Sequence, residues 1–523
     1  MGNEGIIAID GGTTSIRAVL FDRVGRPAAF AQAENPPVYL GDGRVEQEAS
    51  TWEKAAFRIL SEVSAAGNAS GIRAAAVTIT ANRSCVIPVD SRGEALHPAL
   101  MCQDTRTDGI CRELASRSRE VYERSGLPIT SVFSAVKMAW IRRERPDVWA
   151  RTARMLGVQD YLVFLLTGDF VTDRSLASRT NLLSLESGDW DPVLLDIFGI
   201  DSRVLCDLVD PGEVAGVVTP EAAAASGLPA GIPVVTAGGD QQCAALGMGL
   251  LDAGDVVANT GTGSYVIGLS DRPVRDPDMR LYCNISALPG RFVAEAASPA
   301  AGVAYRWFRD RFYGGPDGGV DGFGAINSEV EASPPGANGV VHMPRFKRMG
   351  PVRAGGTGSA GADPEGPAEQ PGGAGGCASF HGIGLATTRG DLARAVLEGV
   401  AGDMADNLDR IERWTGPKDR IRAAGGLTRF HEFDRILASL IGRPVVLAAE
   451  SEATARGAWI SAAVRLGLYP DAASAYSASG AGSGDRVIEP DPERREVYGR
   501  LREERRKLEG LDGGRWSVDS GQK

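Results

Sequence analysis

The stretch that decides the fold is a turn that reads Ile9-Asp10-Gly11-Gly12-Thr13-Thr14-Ser15 and has a counterpart in the second half, Asn259-Thr260-Gly261-Thr262-Gly263-Ser264. An apolar run precedes and follows each turn, which predicts two β-hairpins with the glycines at the bend. Glycine lets backbone N–H groups come close to an anion, and the Thr and Ser hydroxyls beside them add donors. A single turn of this kind is ordinary, but two at corresponding places predict a duplicated fold that binds a polyphosphate from both sides.

Length and composition predict a globular protein with two large domains. The chain has 523 residues, of which 43% are hydrophobic and 24% charged, and this length exceeds what one core usually supports. The net charge of −11 argues against nucleic acid or an acidic membrane as the main partner. A nucleotide is compatible with this charge, because a phosphate site needs only local donors.

Cysteine usage and the lack of long apolar runs predict the compartment. The seven cysteines are scattered without a Cys-x-x-Cys pair, and the four histidines are not spaced as metal ligands. No signal peptide is recognisable before the first strand, and no apolar run reaches membrane-spanning length. We therefore expect a cytoplasmic protein with free thiols and without a membrane partner.

The hydrophobic pattern divides the chain into three parts. A first domain, residues 1–250, alternates strands and helices, and a second, residues 251–466, begins again with the repeated turn. Residues 350–376 are rich in Gly, Pro, Ala and Ser, which predicts a flexible surface insertion. Residues 467–523 form a charged tail, and we expect its final helix to be solvated and loosely packed on the surface.

Asp10 lies where the first strand opens into the first turn. A carboxylate there can hold Mg²⁺, directly or through water, while hydroxyls and N–H groups bind phosphate. The alternative is a carboxylate that only shapes the turn, but the presence of the second turn favours the metal site. Candidate phosphate contacts follow at Thr13, Thr14 and Arg17.

Asp240 follows a predicted buried strand and two glycines, at the start of a predicted helix. One interpretation is a helix N-cap. The other is a general base that accepts the proton of a substrate hydroxyl as that oxygen attacks the γ-phosphorus of ATP. Phosphoryl transfer needs little beyond such a base, a metal, alignment and donors for the developing charge.

Gly425 and Gly426 end another predicted strand, just before a helix. They permit the close backbone approach that an adenine ring or ribose requires, and the helix N-terminus adds a favourable dipole. The sequence has no Gly-x-x-x-x-Gly-Lys-Ser/Thr loop and no Gly-x-Gly-x-x-Gly at the start of a βαβ unit. It therefore predicts neither a P-loop nor a dinucleotide site.

Longer motifs resemble the FGGY carbohydrate kinases, the family of glycerol kinase and xylulokinase. The resemblance covers about residues 5–466. Its most specific parts are Phe133-Ser134-Ala135-Val136-Lys137-Met138-Ala139-Trp140 and the region that contains Phe380-His381-Gly382-Ile383, Asp391-Leu392 and Ala395-Val396-Leu397-Glu398-Gly399. Thr172-Asp173, Ala177-Ser178-Arg179-Thr180 and Gly239-Asp240-Gln241-Gln242 also fit the family pattern.

The resemblance implies an α/β, duplicated actin-like (ribonuclease H-like) ATPase fold of two domains, with ATP and sugar meeting in the interdomain cleft. It agrees with Asp240 as the general base, and it implies a homodimer or homotetramer. The residues that it implies for ATP and its metal are Asp10 for Mg²⁺, Thr13 and Arg17 for the phosphates, Gly261, Thr262 and Gly263 for the β/γ end, and Gly425 and Gly426 for adenosine.

The substrate residues implied by the resemblance follow neither familiar pattern. Arg83, in an expected hairpin turn between two strands, matches a substrate-holding residue of glycerol kinase, but Ser84 replaces the Glu beside it. Three positions that are aromatic in the family are here Cys102, Val132 and Pro299. Lost aromatic walls predict room for an acceptor larger than glycerol, although the Met-His pair of xylulokinases is absent too. The expected substrate contacts are Arg83, Ser84, Cys102, Asp240 and Gln241.

We therefore expect ATP- and Mg²⁺-dependent phosphorylation of a small sugar or polyol, with a ketose such as xylulose preferred and glycerol as the alternative. A hypothesis of another class is a non-catalytic ATP- or sugar-binding regulator on the same fold. The retention of both Asp10 and Asp240 favours the enzyme, because a binding module has no need of a base.

Overall fold

Two central β-sheets, one in each half of the chain, carry the predicted hairpins. The computed structural model describes residues 4–314, 322–346, 378–449 and 452–512. The insertion predicted at 350–376 and the last part of the tail, 513–523, lie outside the described residues.

The first half contains ten helices and thirteen strands within the described residues. Its strands are β1 (Glu4–Gly11), β2 (Ser15–Asp22), β3 (Pro27–Glu34), β4 (Val38–Gly41), β5 (Arg44–Gln47), β6 (Arg73–Ala81), β7 (Ile87–Val89), β8 (Ala99–Leu100), β9 (Arg154–Leu156), β10 (Val171–Asp173), β11 (Asp207–Val209), β12 (Val214–Val217) and β13 (Pro233–Gly239). Its helices are α1 (Ala49–Ala69), α2 (Asp108–Glu113), α3 (Ser118–Ser125), α4 (Ser134–Glu144), α5 (Pro146–Arg151), α6 (Val158–Thr167), α7 (Arg174–Ala177), α8 (Pro192–Phe198), α9 (Pro220–Ser226) and α10 (Asp240–Gly247).

The second half has fewer and longer elements. Its described strands are β14 (Asp255–Thr260), β15 (Ser264–Ser270), β16 (Tyr282–Ile285), β17 (Phe292–Ser298), β18 (Val341–Met343), β19 (Ser379–His381), β20 (Arg420–Gly425), β21 (Val445–Leu447) and β22 (Arg486–Ile488). Its described helices are α11 (Gly302–Phe312), α12 (Gly322–Ala332), α13 (Arg389–Thr415), α14 (His431–Ile441), α15 (Ala453–Arg465), α16 (Ala472–Ala478) and α17 (Arg495–Asp512).

The first strand shows why the sequence around the first turn is apolar. Successive residues of a strand point to opposite faces of the sheet. Ile7 and Ile9 belong to the core that α1 covers, whereas Ile6 and Ala8 belong to the core that α15 covers. Because helices cover both faces, β1 is apolar along its length rather than alternating, as is typical of strands with parallel neighbours.

Both sheets repeat one strand pattern. The first has the order β12-β13-β6-β1-β2-β3, and the matching part of the second is β22-β21-β20-β14-β15-β17, with β16 beyond β17. In each sheet the hairpin and the next strand form an antiparallel meander, two strands lie parallel to the first hairpin strand, and the outermost strand is antiparallel. This repetition confirms the duplicated α/β fold of two domains.

The two halves are held together by helices that pack on each other's sheets. Helix α10 of the first half packs on β14 and β15, and α15 of the second half packs on β1, β6 and β13. The helices cross at glycines: a Cβ on Gly457 would lie 1.9 Å from the Cys243 carbonyl oxygen, and one on Gly247 would lie 1.9 Å from the Ala453 carbonyl oxygen. The two backbones are thus in contact, and no larger residue fits at either glycine.

The tail helix α17 is packed more tightly than the sequence predicts. Tyr498 and Leu501 are buried in the core of the second half, and Arg505 is buried beside them. Arg505 donates from Nη1 to the His342 carbonyl oxygen at 3.0 Å and forms an ion pair with Asp403 of α13. The expectation of a loosely packed helix is wrong, because the sequence pattern treats arginine as solvent-facing, whereas the partly buried carboxylate of Asp403 pairs with it here.

The cysteines at 85, 102, 111, 206, 243 and 283 are free thiols, and Cys377 lies outside the described residues. Among the helices of the described ranges, none combines the length and the apolar character that crossing a bilayer requires.

The crossing of α10 and α15 predicts a large difference between two glycine substitutions. Gly457→Ala forces a methyl group into the backbone of α10 and should lower the melting temperature by about 5 °C or more. Gly499→Ala, at an exposed position of α17 where a Cβ meets nothing within 4 Å, is the matched control and should be neutral or slightly stabilising. Thermal unfolding followed by fluorescence measures both, and an unchanged melting temperature for Gly457→Ala would contradict the close crossing.

Candidate active site

Parallel strands of the first sheet end at one edge, and the predicted catalytic residues lie there. Gly11 of β1 and Gly239 of β13 both pair with Ala81 of β6. The residues around these strand ends therefore meet, as is usual for binding sites of open α/β sheets. They are Asp10, Asn82, Arg83 and Asp240.

Asp10 is buried and pairs with Arg17 across the hairpin. Arg17 donates from Nε to Oδ2 of Asp10 at 2.9 Å, while Oδ1 of Asp10 is buried and has no hydrogen-bond partner. Burial raises the pKa of Asp10, although the Arg17 guanidinium acts against this. A buried carboxylate oxygen without a protein partner fits a cation or a cation-bound water.

The described residues hold no group of three or more His, Cys, Asp or Glu side chains that could hold a metal ion. A cation at Asp10 would therefore take most of its ligands from water and phosphate. In phosphoryl-transfer enzymes, Mg²⁺ usually binds to one or two carboxylates together with the substrate phosphates.

Asn82 holds the first turn in place, and the sequence did not single it out. Its Nδ2 donates to the carbonyl oxygens of Gly11 and Gly12 at 3.1 and 3.3 Å, and its backbone N–H donates to Gly11 at 2.8 Å. Within the turn, Thr13 is half-buried and Thr14 is exposed. The side chain of Thr14 is thus accessible to a ligand, on a turn whose backbone is held by Asn82.

The second turn and the Gly425-Gly426 pair lie side by side. Gly425 has φ +114°, and a Cβ on it would lie 2.2 Å from the Thr260 carbonyl oxygen. The backbone N–H of Gly426 donates to that same oxygen at 2.7 Å. The carbonyl oxygens of Gly261 and Thr262 accept hydrogen bonds from Gly302 and Ala301 at the start of α11, at 3.0 and 2.9 Å. The structure therefore brings together the two elements that the sequence assigned to the nucleotide.

Asp240 is the first residue of α10, with 26% of its side chain exposed. Its Oδ1 accepts a hydrogen bond from the backbone N–H of Gln241 at 2.7 Å and lies 3.6 Å from Nε of Arg83. Burial raises the pKa of Asp240 to about 6; Arg83 acts against this shift and the negative charge of Asp10 adds to it. A carboxylate with this pKa is ionised at neutral pH and is a stronger base than an ordinary Asp.

Arg83 forms an ion pair with a residue of the second domain, Glu295 of β17. Nη1 and Nη2 of Arg83 donate to the two carboxylate oxygens of Glu295 at 2.9 and 3.4 Å, and Nη1 of Arg179 lies 3.7 Å from Glu295. Glu295 is 2% exposed at its side chain, and Arg83 is 9% exposed. The sequence did not predict this cluster, although a single carboxylate in the apolar strand 292–297 is a signal that could have pointed to it.

Aromatic rings surround the cluster, from positions other than those the sequence considered. The guanidinium of Arg179 lies 5.0 Å from the ring centre of Phe133 and 6.0 Å from that of Tyr282. Burial and the charge of Glu295 raise the pKa of Tyr265 to about 12. These rings contact the charged cluster from positions other than Cys102, Val132 and Pro299, and an acceptor pocket widened at those three positions remains a prediction.

The loop with Arg83 is not a hairpin turn. Strand β6 pairs with β1 and β13, whereas β7, which follows the loop, pairs with β9 in a separate small sheet. Short alternating runs on either side of a tight turn cannot distinguish a hairpin from a chain that moves from one sheet to another.

Ser84 is buried and Cys102 is partly buried. Ser84 has φ +70° and donates from Oγ to the Arg179 carbonyl oxygen at 3.3 Å, and it borders an internal cavity of about 30 Å³. Cys102 Sγ contacts Gln103 Oε1 at 3.2 Å. Gln241 adjoins Asp240 in the first turn of α10. Direct substrate contact by these three residues remains a prediction.

Models of the FGGY family of carbohydrate kinases match both halves of the chain, the N-terminal domain at residues 5–247 and the C-terminal domain at residues 256–466. The chain belongs to this family. It is an ATP-dependent carbohydrate kinase with a small-molecule sugar substrate, which removes the need for the regulator hypothesis. Its homodimeric or homotetrameric state and its cytoplasmic location remain predictions.

Similar proteins cover nearly the whole chain. The autoinducer-2 kinase of Klebsiella pneumoniae is 31% identical over 520 residues, which are 94% of this chain and 91% of that protein. The crystal structure of xylulose kinase from Rhodospirillum rubrum is 27% identical with a TM-score of 0.84, and covers 97% of this chain and 98% of its own. Plasmodium falciparum glycerol kinase with ADP is 21% identical with a TM-score of 0.84, covers 97% and 98%, and supports the fold alone.

The role of Asp240 as the general base predicts how kcat/KM depends on pH and how the Asp240→Asn substitution affects turnover. Because the base must be ionised, kcat/KM should rise with pH through about 6 and level off above it. Asp240→Asn should lower kcat by about a hundredfold or more while the Kd for ATP changes little. Steady-state kinetics over pH 5–9 and ATP titration measure both effects, and turnover near the wild-type rate in Asp240→Asn would disprove the base assignment.

Proposed function

We propose that this kinase transfers the γ-phosphoryl group of ATP to a hydroxyl of autoinducer-2, the molecule named for its curated relatives. The observation that carries the proposal is that autoinducer-2 kinases are about 30% identical along nearly the full length of both domains. The match therefore extends beyond the nucleotide-binding half, which kinases that act on different sugars share, into the half expected to bind the acceptor.

The charges at the acceptor end of the site support an uncharged acceptor. Arg83 and Arg179 face Glu295 and Asp240, so two guanidiniums are balanced by two carboxylates. A sugar acid such as gluconate would bring a further carboxylate to a site where both cations already have partners. Oxygen-rich neutral molecules can instead use the remaining N–H groups of the guanidiniums as donors.

The arrangement of the strand ends supports the following reaction. ATP lies between the two turns, with its phosphates at Thr13, Thr14, Arg17 and residues 261–263, and its adenosine at Gly425 and Gly426. Arg83 orients the acceptor so that its hydroxyl meets Asp240. As the acceptor oxygen forms its bond to the γ-phosphorus, its proton passes to the Asp240 carboxylate and the bond from phosphorus to the leaving ADP oxygen breaks.

Asp10 is the residue that would hold Mg²⁺ in this proposal. When bound with ATP, the ion supplies charge neutralisation on the phosphate oxygens. Arg17, which pairs with Asp10 at 2.9 Å, is half-exposed and can turn one face of its guanidinium to phosphate. The partnerless Oδ1 of Asp10 is the atom that fits the ion or its water.

Xylulose is the second candidate acceptor. It is favoured by the likeness to xylulose kinase from Rhodospirillum rubrum along 97% of the chain. Glycerol ranks behind both, because Ser84 stands in place of the Glu of glycerol kinase and the solved glycerol kinase supports only the fold.

The acceptor is identified by ADP release with Mg-ATP across autoinducer-2, xylulose, ribulose, glycerol, erythritol, rhamnulose and gluconate. Autoinducer-2 should give the highest kcat/KM, on the order of 10⁴ M⁻¹s⁻¹ or more, and gluconate should stay at background. Asp240→Asn serves as the control for contaminating ATP hydrolysis. A higher kcat/KM for xylulose or glycerol would overturn the proposal in favour of that acceptor.

A further inference from the structure

Glu295 is a residue of the second domain that lies within the acceptor site of the first. Its strand β17 pairs with β15, which starts directly after the second turn, and Glu295 stands opposite Ile267 in that pairing. Its carboxylate reaches Arg83 at 2.9 Å, and Arg83 follows the end of β6 in the other sheet. One ion pair therefore joins the strand next to the second turn to the residue expected to hold the acceptor.

We propose that Glu295 is a positioning residue that holds Arg83 in the orientation required for acceptor binding and keeps it from pairing fully with Asp240. The proposal rests on the proposed function in its use of Asp240 as the base and of Arg83 as the acceptor contact. It adds a carboxylate from the nucleotide-binding half to the machinery of the acceptor site.

The distances show how Arg83 is divided between two carboxylates. Its Nη1 and Nη2 form hydrogen bonds to Glu295 at 2.9 and 3.4 Å, whereas its Nε stays 3.6 Å from Asp240, beyond ordinary hydrogen-bond distance. Guanidinium prefers a two-pronged contact with one carboxylate, and Glu295 has that contact. Without Glu295, the same contact would be available to Asp240, and it would make the base weaker.

The aliphatic part of the Arg83 side chain (its stem) is confined, so the guanidinium can rotate between its partners but cannot leave the site. A Cβ on Gly239 would lie 2.9 Å from Cγ and Cδ of Arg83, which shows how closely the stem packs on the backbone before Asp240. Nη1 of Arg83 also lies 3.4 Å from Oε1 of Gln242. Loss of Glu295 would therefore rotate the charged end towards Asp240 within a fixed site.

Arg179 adds a second positive charge beside Glu295. Burial, together with the neighbouring Arg83, lowers the pKa of Arg179 to about 10, as expected for two guanidiniums close together in a dry environment. Although burial alone would raise it, the two guanidiniums hold the pKa of Glu295 below its ordinary value. Glu295 is thus ionised at neutral pH and lies between two cations of the first domain.

Because Glu295 comes from the domain that carries the second turn, the charged cluster at the acceptor site is built from residues of both domains. Binding of ATP by the second domain and binding of the acceptor by the first would then favour the same arrangement, in which Glu295 reaches Arg83.

The test compares Glu295→Gln and Glu295→Asp with wild type, using whichever acceptor of the panel the wild type phosphorylates best. Glu398→Gln is the matched control, because Glu398 is as deeply buried and pairs with Arg394 at 2.8 Å, within the second domain. The measurements are KM for the acceptor, kcat/KM against pH, the Kd for ATP without acceptor, and the melting temperature. ATP hydrolysis without acceptor gives a second pH profile that does not depend on the identity of the sugar.

Glu295→Gln should raise KM for the acceptor about tenfold or more and leave the Kd for ATP within about twofold. The acid limb of both pH profiles should move to lower pH by about half a unit, because Arg83 then lowers the pKa of Asp240. The other charged groups near Asp240 are Asp10, Arg17 and Arg179, and none of them is changed. Glu398→Gln should lower the melting temperature without affecting KM or the acid limb.

Unchanged KM and an unchanged acid limb in Glu295→Gln would overturn the positioning role. If that variant does not fold, Glu295→Asp is the deciding variant. Its shorter side chain keeps the charge but places the carboxylate farther from Arg83, so KM for the acceptor should still rise. A wild-type KM in Glu295→Asp would overturn the role. Failure of autoinducer-2 in the acceptor panel would overturn the proposed function alone, because the test of Glu295 uses the best acceptor and acceptor-free hydrolysis.

Discussion

The contact on which the rest of the structure depends is the crossing of α10 and α15 at Gly247 and Gly457. Backbone touches backbone there, so the relative position of the two sheets is set without adjustable side chains. Asp240 begins α10, and Glu452, whose carboxylate lies 3.6 Å from Nη1 of Arg17, directly precedes α15. One crossing therefore places both the proposed base and a neighbour of the first phosphate turn.

Charge distribution is the second constraint on the site. Burying Asp10 and Asp240 at neighbouring strand ends raises the pKa of both carboxyls, and an arginine beside each one limits the effect. The arginines differ in their second partners and in their exposure. Arg17 lies 3.6 Å from Glu452 and is 33% exposed, so that phosphate can reach it, whereas Arg83 is enclosed by Glu295 of the opposite domain. The phosphate end is thus open to a charged ligand, while the acceptor end is electrically balanced.

Local signals in the sequence predicted the hairpins, Asp10, Asp240 and Gly425 with Gly426, because turn chemistry and strand ends are properties of consecutive residues. The family motifs extended this to the duplicated fold. Glu295, Arg179 and Asn82 were missed as site residues because their partners are distant in sequence; Glu295 and Arg83 are 212 positions apart. The same limitation explains the wrong hairpin at Arg83 and the unexpected buried face of α17, both of which depend on contacts between distant segments.

We propose that the acceptor and ATP meet between the two turns, with Asp240 as the base. A crystal structure of the protein with Mg²⁺, a non-hydrolysable ATP analogue and its best acceptor tests this directly. We expect the attacking hydroxyl within about 3 Å of the Asp240 carboxylate and in line with the γ-phosphorus, with the phosphates at both turns. A hydroxyl that is placed against another side chain, with Asp240 still paired only with Arg83, would contradict it.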